Sequence, residues 1–226
     1  MKNKNKQEIF NFVDRNENIL LFCAHPDDEI LGVGATSAVY AKQGKNVITI
    51  IFSYGELSHL KEEIIKKKRI RESEKASRLV GAKDVIFFGL PDAKIASKIE
   101  EMHIKDKVKE LIKKYNPTKI FTHSPSDPLP DHKTVNKVVL EAVKELKTNI
   151  DVFGFDVWNL YNTKEKERPL FFVDVSETFW TKLRAIREFK SQIHVMLLFL
   201  PIVFLRAKFA GRKNNCKYAE RFYKLI

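Results

Sequence analysis

Cysteine is almost absent from this chain: Cys23 and Cys216 are the only two in 226 residues, and they form no CxxC pair. That excludes a disulfide framework, a thioredoxin-type redox motif and a cysteine-built zinc site. Both thiols read instead as buried small apolar side chains. A chain of this length can bury a sufficient core without such staples. Glycine and proline number only eight each, and no linker, low-complexity tract or internal repeat breaks the pattern. Residues 1–226 therefore read as a single domain.

Long hydrophobic runs are missing too. The longest, residues 195–205 (VMLLFLPIVFL), is about half of the roughly 20 residues a membrane span requires, and Pro201 interrupts it. The expectation is that it does not cross a bilayer. At the N-terminus, Glu8, Asp14, Arg15 and Glu17 stand where a signal peptide needs an apolar stretch, so a cytoplasmic setting is expected. Acidic residues are in deficit, 29 against 41 basic, for a net charge of +12. Such a balance permits an anionic partner without specifying one. In residues 61–75 (KEEIIKKKRIRESEK) acidic residues interrupt the basic ones, and Ile64, Ile65 and Ile70 suggest a buried stripe. A solvated helix face fits this segment better than a nucleic-acid footprint, and no nucleic-acid partner is expected.

What the chain does have is alternation. Short β-rich apolar runs at 19–23, 46–52, 84–88, 119–122 and 152–157 are separated by helical patterns at 30–42, 59–80, 97–115 and 131–147. This order predicts an α/β fold: a Rossmann-like, mostly parallel sheet with helices on both faces and right-handed crossovers. Beyond residue 161 the pattern loosens into a strand at 171–175, a helix at 177–189 and a final short helix at 218–225. In such sheets ligands bind beyond the carboxyl ends of the strands. Residues 24–29, 53–56, 89–92 and 123–132 all fall on that edge.

Residues 23–29, CAHPDDE, put one imidazole and three carboxylates just after the first strand. Crowded carboxylates repel, and a divalent cation is one way to keep them ionised. Pro26 fixes the turn, while Gly32 and Gly34 let the next helix pack closely on the sheet. Residues 127–132, DPLPDH, form a proline-stiffened loop entering a helix, from which His132 can project back. A catalytic zinc takes three nitrogen or oxygen ligands and keeps one position for water, and His25, Asp28 and His132 could supply such a set. On spacing alone, a His-Asp pair at a strand end is more often a hydrogen-bonded turn than a ligand set.

AHPDDE after the first strand, together with Pro130-Asp131-His132 opening a later helix, resembles the LmbE/PIG-L family of zinc-dependent N-deacetylases. Further matching stretches are Arg69 and Glu72 with Ala76 and Gly81, GLPD at 89–92, Thr122-His123-Ser124-Pro125, Lys190-Ser191-Gln192, and Tyr218-Ala219-Glu220-Arg221-Phe222. The resemblance implies zinc, or another divalent metal such as iron, manganese or cobalt, held by His25, Asp28 and His132. It also implies a general base at Asp27, and an N-acetylated amino sugar or glycoconjugate contacted by Arg69 and Asp92. An intrahelical pair of Arg69 with Glu72 or Glu62 is the competing reading, and Glu29 reads chiefly as a first-turn acid favoured by the helix dipole.

One position departs from the family. A histidine usually precedes the Pro-Asp-His triplet and assists the oxyanion or the leaving amine, but here that residue is Leu129. Either His123, Asp131 or a proton returned from Asp27 completes the reaction, or the chain is a slow or noncatalytic metal- and sugar-binding relative. Asp131, without its histidine partner, is expected to cap the helix beside it. His59, His103 and His194 match no ligand spacing. Finally, residues 193–206 are apolar and lead into Arg206, Lys208, Arg212 and Lys213. That order suits a buried core helix, a peripheral contact at the inner membrane surface or a contact with a second copy.

Overall fold

The computed structural model describes residues 17–56, 62–159 and 167–226. His59, and with it the start of the helix expected from residue 59, lies outside them. The chain runs β1 (Asn18–Cys23), α1 (Asp28–Lys42), β2 (Asn46–Ser53), α2 (Glu62–Leu79), β3 (Asp84–Leu90), α3 (Ile95–Lys98) and α4 (Ile104–Tyr115). It continues through β4 (Lys119–His123), α5 (Pro130–Leu146), β5 (Asp151–Phe155), β6 (Leu170–Asp174) and α6 (Phe179–Ile186). A 3-10 turn (Lys190–Gln192), α7 (Ile193–Lys213) and β7 (Ala219–Lys224) complete it. The strands form one sheet in the order β3-β2-β1-β4-β5-β7-β6. The expected mostly parallel α/β architecture is present: β1 to β5 are parallel, and β7 is antiparallel to both β5 and β6.

Strand β1 shows why the apolar runs are continuous rather than alternating. Ile19, Leu21 and Cys23 enter one core with α1, α6 and α7, whereas Leu20 and Phe22 enter a second with α4 and α5. A strand covered on both faces needs apolar side chains at every position. Gly32 of α1 sits against Phe155, where an added Cβ would come within 2.3 Å of the ring. The helix could not approach the sheet so closely with any side chain there.

Five expectations are corrected. The helix expected at 97–115 is broken into α3 and α4, with His103 between them at φ 52°. The segment expected as a final helix is strand β7, inserted between β5 and β6, with Ala219, Phe222 and Tyr223 buried. Tertiary pairing on both edges overrides the helical reading. Helix α7 runs through Pro201 without ending and is 21 residues long. By length and composition it could cross a membrane, yet Met196, Phe199, Val203 and Ala207 pack into the core. In α2, Ile64 is exposed while Ile65 and Ile70 are half-buried, and the buried side of the helix is formed by Glu72, Ser73, Ala76 and Ser77. Of the two thiols, Cys23 is buried as expected but Cys216 is only half-buried.

Candidate active site

The sheet switches direction at β1, which pairs with β2 on one side and β4 on the other. The loops leaving β1 and β4 therefore diverge over a crevice at the carboxyl edge, where such sheets bind ligands. The β1 loop passes through His25 and Pro26 to Asp27, whose φ of 122° is unfavourable for any residue with a Cβ. Several contacts hold this turn. The Asp27 amide donates to Glu29 (2.8 Å), the Ile30 and Leu31 amides donate to the Asp27 carbonyl, and Gln192 Nε2 donates to Asp27 Oδ2 (2.6 Å). Ser73 in turn donates to Glu29 (2.6 Å). Glu29 is thus a buried brace between α1 and α2 that fixes Asp27, more than a charge facing a helix dipole.

The second half comes from β4 and α5. Asn136 donates to the His123 carbonyl (2.7 Å), and the Leu129 amide donates to Asp127 (3.1 Å), so loop and helix are fixed to each other. His132, fully buried, stacks on His123 with ring centroids 3.8 Å apart.

The two halves meet at Asp28. Its Oδ1 lies 3.4 Å from His132 Nε2, and its Oδ2 lies 3.7 Å from His25 Nδ1 and accepts from the His25 amide. One ligand atom each from His25, Asp28 and His132 can be chosen so that all lie within 4.8 Å of one another. Among the described residues the same holds for His123, Asp127 and His132, and for His25, Asp92 and Asp131. Only in the first set does each imidazole turn one nitrogen to a shared carboxylate and the other to a different one. His25 Nε2 faces Asp92 (3.0 Å) and Asp131 (3.4 Å), and His132 Nδ1 lies 3.1 Å from Asp127, though not aligned for a hydrogen bond. That arrangement matches ligating histidines oriented by a second carboxylate. His132 Nε2 is buried without a hydrogen-bond partner, which suits a cation at that corner.

Electrostatics point the same way. Burial, reinforced by the Asp28 carboxylate, pushes Asp27 up to about 7, and burial pushes Glu29 up to about 8. Burial opposes ionisation of Asp28 as well, but His132 and His123 outweigh it and hold that carboxyl well below the usual range. Burial and His132 push His123 down to about 4. A divalent cation would relieve the strain of three adjacent buried carboxyls.

Asp92 and Asp131 both reach the cluster through His25. Asp131 does not cap α5: the helix begins one residue earlier, at Pro130, and its N-cap residue is Leu129. Among the described side chains of its helix, Arg69 has no ion-pair partner. Its guanidinium donates to the Gly55 carbonyl at the end of β2, and Glu72 is engaged by the backbone and hydroxyl of Ser191. The Arg69 charge favours the ionised forms of Asp27 and Asp92, which places it beside the site. His123 Nε2 accepts from the Ala24 amide (3.0 Å), so that nitrogen is already engaged. His103 lies in the turn before α4 and His194 on the exposed side of α7, neither in the cluster. Sequence reasoning assigned no role to Asp127 or Gln192. Asp127 lay inside the quoted loop, and Gln192 in the KSQ element, but neither spacing says what the side chain touches.

A profile of the family described as PIG-L, GlcNAc-PI de-N-acetylase, matches residues 20–143. The chain belongs to the PIG-L family. Its members are deacetylases, that is, amide hydrolases, and the matched region holds every cluster residue except Gln192. This PIG-L chain is 25% identical to the diacetylchitobiose deacetylase of Thermococcus kodakarensis, over 94% of its own length and 84% of the relative's. The solved N,N'-diacetylchitobiose deacetylase of Pyrococcus horikoshii has a TM-score of 0.75 at 22% identity, covering 91% of this chain and 82% of that one. The 4-carboxy-2-hydroxymuconate hydratase of Pseudomonas putida superposes with a TM-score of 0.78, also at 22% identity, over 93% and 96%. The architecture therefore does not select the reaction by itself, and the site must.

Proposed function

We propose that this PIG-L protein is a divalent-metal-dependent N-deacetylase acting on an N-acetylated amino sugar or its conjugate, with His25, Asp28 and His132 as ligands. The observation that carries this reading is the meeting of those three side chains, with His132 Nε2 buried without a hydrogen-bond partner. Two imidazoles and one carboxylate suit zinc; iron, manganese and cobalt accept the same donors. When bound, such a cation supplies a Lewis acid that polarises the acetyl carbonyl and lowers the pKa of water.

The chain's own residues supply the rest. Asp27, held by Gln192 and set apart from the ligand set, takes the proton of the attacking water and returns it to the departing amine. At the same edge Asp92 accepts from sugar hydroxyls, and Arg69 donates to sugar hydroxyls or a phosphate. The test is metal analysis of the purified protein, followed by an acetate-release screen over N-acetylglucosamine derivatives. Asp28→Ala and His132→Ala are expected to lose bound metal and acetate release together. Full metal content in both variants would overturn the ligand set.

Leu129 favours a second reading. It stands half-buried beside the site without a polar side-chain group, and His123, which stacks on His132, already uses Nε2 for Ala24. In this reading the protein binds metal and sugar but turns over slowly or not at all. Metal-loaded protein that releases no acetate from any N-acetyl sugar would establish it.

A further inference from the structure

Helix α7 carries two apolar stripes where a surface helix needs one. Met196, Phe199, Val203, Ala207 and Ala210 form the first and are buried. The second faces outward at the same spacing: Leu197 and Leu198 are 58% and 72% exposed, followed by Pro201, Phe204, Leu205 and, 64% exposed, Phe209. Scattered exposed leucines need no explanation, but a continuous stripe of this length does. Trp180 of α6, 56% exposed, extends the stripe through its contacts with Phe179 and Tyr218, onto which Phe204 also packs.

Charge divides this face along its length. The helix contains no acidic residue, and its first turns expose only His194 and apolar side chains. Lys208, Arg212 and Lys213 are exposed in the last turns, with Lys208 and Lys217 lying over the Tyr218 ring. We propose that the exposed face of α7 is a docking surface for an anionic lipid bilayer. Leu197, Leu198, Phe204 and Leu205 enter the boundary between headgroups and acyl chains, and the cations of the last turns, which flank Phe209, meet lipid phosphates. A second copy is a poorer occupant, because antiparallel pairing of two such faces sets each cationic end against the other's leucines and leaves the charges desolvated. The helix lies on the bilayer and does not cross it, since its inner stripe is committed to the core beside the sheet.

Docking has a geometric consequence. Gln192, which holds Asp27, immediately precedes α7, so the apolar end of the docking face begins at the active site.

The test is co-sedimentation of the full chain with vesicles of phosphatidylcholine alone and of phosphatidylcholine with phosphatidylglycerol. The wild type is expected to sediment with the anionic vesicles and far less with the neutral ones. Lys208→Glu with Arg212→Glu should lower the anionic-vesicle partition coefficient by about twentyfold or more. Leu197→Ser with Leu198→Ser should lower it by about tenfold or more. Circular dichroism of both variants checks that these exposed positions leave the fold intact. Wild-type protein that stays in the supernatant with both vesicle types overturns the proposal, as do correctly folded variants that bind like the wild type. A dimer in light scattering that disappears in the leucine variant, without vesicle binding, assigns the face to a second copy. Protein inserted into membranes that resists alkaline extraction overturns peripheral docking in favour of a span.

Discussion

At the residue scale, the site depends on carboxylates that aim other side chains as much as on the three candidate ligands. Asp127 lies 3.1 Å from His132 Nδ1 and contacts no other member of the ligand set, so its charge faces that nitrogen and leaves Nε2 to the site. Asp127→Asn is expected to lower metal affinity or activity about 10- to 100-fold with little change in the fold, measured by metal titration alongside acetate release. Leu129 makes a separate prediction. Leu129→His restores a donor beside the site, and if the missing group limits turnover, kcat rises by a factor approaching the roughly 100- to 1000-fold value of one oxyanion donor. Metal affinity should stay unchanged. An unchanged kcat in an active enzyme assigns the proton to Asp27 or Asp131. The ligand candidates themselves were legible in the sequence, because strand-end motifs fix their own local geometry. Gln192 and Ser73 were not, since their partners, Asp27 and Glu29, lie 165 and 44 residues away along the chain. The competing intrahelical reading of Arg69 fails for the same reason: spacing suggests such a pair, and only the fold brings the loop after β2 to the guanidinium, which donates to Gly55.

At the scale of elements, β1 to β5 with α1, α2 and α5 follow the sequence closely, whereas the helix between β3 and β4 is broken at His103. The apolar runs of β1, β2, β4 and β5 are buried on both faces, and that of the edge strand β3 is half-buried. Strand β7 breaks that agreement, because a strand inserted between two others late in the chain carries no local mark distinguishing it from a short helix. Pro201 was misleading in the opposite direction, since a helix docked on a core along one side tolerates a proline that an isolated helix would not. The edge of the sheet opposite the site supplies a pH prediction. Glu17 accepts from Thr118 and pairs with Lys45 and Lys119, clamping the starts of β1, β2 and β4. Burial would raise its carboxyl, but Lys45, Thr118 and Lys119 outweigh it and lower the pKa from 4.5 to about 2. A depressed folded-state pKa contributes stability above the unfolded value and loses it as pH falls. Between pH 4.5 and 2 the wild type should therefore lose about 1–2 kcal/mol, after solvent screening, that Glu17→Gln does not lose. Thermal melts of both proteins across that window check it, and parallel curves would remove Glu17 from the acid response.

At the scale of the whole molecule, the last third of the chain completes the active site from outside the parallel core. The 3-10 turn brings Gln192 to Asp27, so the docking of α6, α7 and β7 onto α1 decides whether that contact exists. One buried pair joins these elements. Lys182 of α6 lies 2.6 Å from Glu220 of β7 and donates to the Leu31 carbonyl of α1, while Glu220 accepts from the Ala35 and Thr36 amides of the same helix. Both side chains are almost fully buried. Removing one partner leaves the other charge unpaired in a dry interface, which costs about 3–5 kcal/mol. Lys182→Met should accordingly lower Tm by on the order of 10 °C, given about 2–4 °C per kcal/mol for a chain of this size. Adding Glu220→Gln removes the stranded charge while its amide oxygen still accepts from α1, so the double variant should recover most of the loss. Equal melting temperatures for the single and double variants would show that the two charges do not couple. Acetate release measured below every variant's Tm then separates anchoring from chemistry: if the pair acts only by docking the last third of the chain, the double variant regains activity in step with its stability.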